Sequence, residues 1–152
     1  MVLDDEAFKK LISTRNVGKV TYGIEKREAE NEKWMNDLLV KMGHNSSRIE
    51  HHWRSVTREY AHQILEFIFT MEMTHNLAIN SKPFAHSISN CYLNQFGPEA
   101  EFYTNGLFDT SDGSFKLYAW TSITDGETYT YDTGVIGIDT ERIGILWATD
   151  PM

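Results

Sequence analysis

Residues 128–148 read TYTYDTGVIGIDTERIGILWA, and this stretch decides the fold class. Two runs rich in β-branched and apolar residues, 128–138 and 143–148, flank Asp139-Thr140-Glu141-Arg142, a turn-forming tetrapeptide. That is the pattern of an antiparallel hairpin. Upstream, FKLYAWTSI over 115–123 alternates and is rich in strand formers, with Asp125-Gly126 as a hairpin turn before 128–138. The three runs predict an antiparallel meander. Gly134 and Gly137 mark a bulge or close packing within it. On the 115–123 strand, Phe115, Leu117, Ala119, Thr121 and Ile123 share the core face. Tyr118 and Trp120 lie on the other face and, with Tyr129 or Tyr131, make a candidate shelf for stacking a base or a partner side chain. Plain cross-strand aromatic packing is the commoner use of such residues. Trp147, in register with Ile143 and Ile145, is placed in the core or at its rim.

Towards the N-terminus the periodicity becomes helical. Asp4 or Asp5 caps a short helix carrying Phe8, Leu11 and Ile12, and Lys19-Val20-Thr21-Tyr22 reads as a short strand. Residues 25–42 look helical, with Gly43 as the stop. A long helix is expected over 48–72, capped from Asn45-Ser46-Ser47, with Trp53, Val56, Tyr60, Ile64, Phe67, Ile68 and Met71 as its apolar stripe. Ser81 and Pro83 open a further helix that Gly97-Pro98 closes. The expected architecture is one α+β domain, 1–152. Residues 1–97 are mostly helical, and 110–149 form a three- or four-stranded antiparallel meander under the N-terminal helices.

Composition narrows the class. The chain has 152 residues, 41% hydrophobic, which suits one domain with a packed core. A single cysteine, Cys91, excludes an internal disulfide and sits in a helical apolar stripe, as a structural thiol would. No signal peptide or membrane span is read, so a cytoplasmic protein is expected. The charge is lopsided. Residues 59–152 hold 13 acids against Lys82, Lys116 and Arg142, within a formal net charge of -8 for the chain. Such a surface repels nucleic acid and anionic membranes and favours basic partners.

One segment runs against that trend. HNSSRIEHHWRS, residues 44–55, gathers three histidines and two arginines where the long helix is expected to begin. At ~100° per residue, Arg48, His51, His52, Ser55, Arg58, Glu59, His62 and Glu66 share an arc of roughly 120°. Cations at a helix N-terminus cost about 0.3–1 kcal/mol each, a cost that a nearby anion reverses. Ser46, Ser47, Arg48, His52, Ser55 and Arg58, with Tyr118 and Trp120, are therefore candidate ligands for a phosphate-bearing molecule such as a nucleotide. His44, His51 and His52 are the candidate proton donors. A solvated face tied by an intramolecular salt bridge is the commoner reading of such an arc. Glu59, His62 and Glu66 also have metal-ligand spacing, but a bundle site needs matching ligands from other helices, and no metal or other cofactor is expected.

Two function classes follow, and the first is preferred. A non-enzymatic acidic interaction or inhibitor protein, of the phage-inhibitor or immunity type, would meet a basic partner through Asp109, Asp112, Asp125, Glu127, Asp132, Asp139 and Glu141. The alternative is a binder of small anions, or a phosphate-ester enzyme, built on the Ser46–Arg58 segment.

Overall fold

The structure, a computed structural model, describes residues 5–27, 54–73, 77–105, 107–109, 114–116 and 130–151. Their elements are α1 (Asp5–Ile12), β1 (Lys19–Lys26), β2 (Arg54–Val56), α2 (Arg58–Thr70), α3 (Lys82–Leu93), β3 (Glu101–Thr104), β4 (Leu107–Asp109), β5 (Ser114–Lys116), β6 (Thr130–Ile138) and β7 (Arg142–Pro151). The class is α+β. Five strands form one antiparallel sheet in the order β1-β7-β6-β3-β2, and β4 pairs with β5 in a separate two-stranded ribbon. No helix among the described residues is long and apolar enough to cross a membrane.

The 128–148 hairpin forms as its turn chemistry dictates, with Ile138 opposite Ile143 across Asp139–Glu141. Among the described residues its outer neighbour is not the strand expected at 115–123. The strand beside β6 is β3, pairing Phe102 with Gly137 and Tyr103 with Ile136. Phe115 instead faces Phe108 in the ribbon. Residues 117–129, with Tyr118, Trp120, Asp125 and Glu127, lie outside the described residues, as does Asp112.

The helix expected at 48–72 begins only at Arg58 in the described part. Arg54–Val56 is an edge strand, Val56 pairing with Phe102. Thr57 then takes extended dihedrals and its side chain accepts the Tyr60 N–H, so α2 is capped there. Val56 and Tyr60 have helical spacing by coincidence of position. Pairing with β3 and the threonine cap override it. At three residues, β2 presents little unpaired edge. At the other end of the sheet, β1 runs to Lys26, past the 19–22 expected, so no helix starts at Glu25. The remainder of 25–42 lies outside the described residues. α3 opens as expected, with Ser81 accepting from the Phe84 N–H and Pro83 in the first turn.

One cluster of buried side chains contains residues of the three described helices and of the sheet. Phe8 and Ile12 come from α1, Ile64, Leu65, Ile68 and Phe69 from α2, and Ile88, Tyr92 and Leu93 from α3. Phe102, Val135, Leu146 and Ala148 supply the strand side. Tyr92 donates its hydroxyl to the Val135 carbonyl at 3.0 Å, and burial pushes its pKa well up. Ile136, Ile145 and Trp147 point to the opposite face and are also fully buried, so the central hairpin is covered on both sides. This explains why IGILWA reads as a continuous apolar run rather than an alternating one.

Two polar fastenings hold the edges. At one, the Arg15 guanidinium forms a two-pronged ion pair with Asp150 at 2.7 and 2.6 Å, both side chains being buried. Arg15 also donates to the carbonyls of Ile68 and Val17, tying α1, α2 and β7 together. The chain turns into β1 through Gly18, whose φ of 62° and contact with Asp150 leave no room for a Cβ. At the other, Asp139 accepts the N–H groups of Gly97, Glu141 and Arg142 at 2.9, 2.8 and 2.6 Å. Burial by itself raises the pKa of Asp139. The three N–H donors and the Arg142 charge outweigh it and hold the carboxyl below the ordinary 3.8. A depressed folded-state pKa contributes stability that is complete above 3.8 and is lost as pH falls through the folded value. Asp139→Asn is therefore expected to lower stability at neutral pH by about 1–3 kcal/mol and to flatten the acid decline below pH 3.8. Urea midpoints measured on both proteins at neutral and acidic pH check this.

Candidate functional site

The site is built by packing α2 against α3. Arg58 at the start of α2 donates to the Leu93 and Gly97 carbonyls at the end of α3, so the two helices run antiparallel. Its guanidinium also lies 5.1 Å from the centre of the Phe102 ring. A cation stands at the start of α2 because the compensating negative charge is the carbonyl end of the neighbouring helix. Arg58, a candidate anion ligand on sequence grounds, thus already donates to two main-chain oxygens. Ser55, expected on a helical face, is instead an exposed residue of the edge strand β2. His44, Ser46, Ser47, Arg48, His51 and His52 lie outside the described residues.

One turn further along α2, His62 and Glu66 share a face at a spacing of four, opposite His86 and Ser89 of α3 at a spacing of three. Antiparallel packing brings Glu66 beside His86 and His62 beside Ser89. The Glu66 carboxylate contacts His86 Nδ1 directly. His62 Nδ1 lies 2.6 Å from the Ser89 hydroxyl. The two imidazoles stack, 5.3 Å between centres and 17° between planes. Burial lowers the His62 pKa most, the neighbouring His86 and Arg58 lower it further, and Glu66 and Glu59 oppose the shift. His62 lies against the buried Ser89 hydroxyl, while the His86 side chain is 52% exposed. His62, Glu66 and His86 each direct one possible ligand atom to within 4.8 Å of the others. Glu59, chosen with His62 and Glu66 on sequence spacing, is exposed and stands outside this group; His86 takes its place.

The acids of the partner surface expected from sequence divide. Asp132 and Asp139 are buried. Asp132 accepts from the Asn105 side chain at 3.1 Å, and Asp139 fastens the β6–β7 turn. Both carboxylates are thus engaged by hydrogen bonds within the chain. Glu141 is exposed, and Asp109 ends β4. Glu99 and Glu101, which sequence reasoning did not single out, are exposed near the same turn, and Glu99 accepts the Thr140 hydroxyl.

No match to this chain is found among protein-family models, curated proteins or solved structures.

Proposed function

We propose that the chain is a non-enzymatic binding protein that captures a basic protein partner through acidic residues of its C-terminal third, as immunity proteins and phage-encoded inhibitors do. One observation carries this reading. Of the nine acids in residues 59–152 whose burial is described, four (Glu72, Asp132, Asp139 and Asp150) are buried, and Glu59, Glu99, Glu101 and Glu141 are exposed, in a segment whose sequence holds 13 acids against three cations. Opposite charges at an interface chiefly accelerate encounter and select the partner. The partner-facing set is accordingly narrowed to Glu99, Glu101 and Glu141, together with the acids at 109, 112, 125 and 127.

Immobilised protein exposed to a cell extract at about 0.05 M salt is expected to retain a basic protein that about 0.5 M salt releases, as screening shortens the Debye length below about 5 Å. Substituting Glu99, Glu101 and Glu141 with glutamine should slow association several-fold while leaving the fold unchanged. Retention that is indifferent both to salt and to these substitutions refutes the proposal.

A further inference from the structure

We propose that His62, Glu66 and His86 form a binding site for one zinc ion, with the remaining coordination position open to solvent. This reading is independent of the acidic surface. Two imidazoles and one carboxylate are a donor set that zinc accepts, at about 2.0–2.2 Å per ligand, with a fourth position left for water. Tetrahedral ligands at those lengths stand roughly 3.3 Å apart, and the three side chains already gather their ligand atoms within 4.8 Å. The remaining adjustment falls on His86, whose half-exposed ring is free to turn and admit an ion between itself and Glu66.

Two features distinguish the cluster from an ordinary surface ion pair. The first is Ser89, which is fully buried and fixes one nitrogen of His62. A hydrogen bond to Nδ1 sets the ring orientation and presents Nε2 as the ligand atom, the usual arrangement behind a metal-bound histidine. The second is the placement of all three donors on regular helices, which hold a site more rigidly than loops do. Copper, nickel or cobalt would find the same donors, so the set defines a class of borderline divalent cations, of which zinc is the one tested.

The test is zinc titration of the metal-stripped full chain against a chromophoric chelator, alongside cobalt substitution read by visible absorption. Wild type is expected to bind one equivalent and give the intense bands of tetrahedral cobalt. His86→Ala and Glu66→Gln should each weaken binding tenfold or more and abolish those bands. Both side chains reach the surface, so melting without metal should barely change. A His44→Ala/His51→Ala/His52→Ala variant serves as the control for ions collected by the other histidines, and it should bind like wild type. Equal affinity in wild type, His86→Ala and Glu66→Gln, or loss of binding in the triple variant instead, overturns the assignment.

Discussion

Asp150→Ala is expected to lower the unfolding free energy by about 3–5 kcal/mol, among the largest effects of any single substitution in this chain. The reason is what it leaves behind. The Arg15 side chain has no exposed surface and directs two nitrogens at the carboxylate. The Met73 N–H also donates to Asp150, at 2.8 Å. Removing the carboxylate strands a charge and a main-chain donor in the interior, and both carry the full desolvation penalty. The same pair replaced together, as Arg15→Met with Asp150→Leu, should recover much of the loss, because a buried ion pair gains little over well-packed apolar side chains. Guanidinium unfolding followed by circular dichroism, run as a double-mutant cycle, gives the coupling directly. A single-mutant effect under about 1 kcal/mol would place the pair in solvent.

The second large effect is expected at Gly134. A Cβ there would lie 2.1 Å from the Leu146 carbonyl oxygen and 2.7 Å from the Trp147 Cα. Both are main-chain atoms of the partner strand, so no rotamer change relieves the clash. Gly134 pairs with Trp147 at the centre of the β6–β7 ladder, and the indole edge covers it. Gly134→Ala must therefore push β6 away from β7, and about 3 kcal/mol or more of stability should be lost. Thermal unfolding and native-state hydrogen exchange of β6 and β7 read the effect. Unchanged melting would mean that the two strands are not in this register.

These two positions also show where sequence reading succeeds and where it stops. Gly134 is conspicuous in the sequence because a glycine inside a β-branched run weakens the strand unless a bulge or a close backbone approach requires it. The hairpin is legible because its turn residues sit between two strand-forming runs. Its other neighbour is not. Glu101–Thr104 is four residues long and lies far from β6 in sequence, so only the tertiary fold reveals the pairing. β2 is hidden for a different reason: its apolar residue falls in phase with the helix that follows it. Charge misleads where burial depends on packing. Asp132 and Asp139 look like surface acids in the sequence, yet each finds donors supplied by segments some 27 and 42 residues away.

The candidate site is half legible. The spacing of Glu59, His62 and Glu66 places them on one helix face, but spacing along one helix cannot choose among them. Antiparallel packing against α3 makes the choice, setting His86 and Ser89 opposite Glu66 and His62 and leaving Glu59 in solvent. No local signal in residues 82–93 announces that role, since a lone histidine on a helix of mixed polarity has many commoner uses.

The carboxylates of the C-terminal third divide into internal fasteners and groups open to a basic partner. Carbodiimide labelling of the native protein, read residue by residue by mass spectrometry, measures that division. Asp132, Asp139 and Asp150 should resist modification until the protein unfolds, while Glu99, Glu101 and Glu141 react readily and become protected when a retained basic partner is added. Uniform reactivity of all six in the native state, or no protection by that partner, contradicts it.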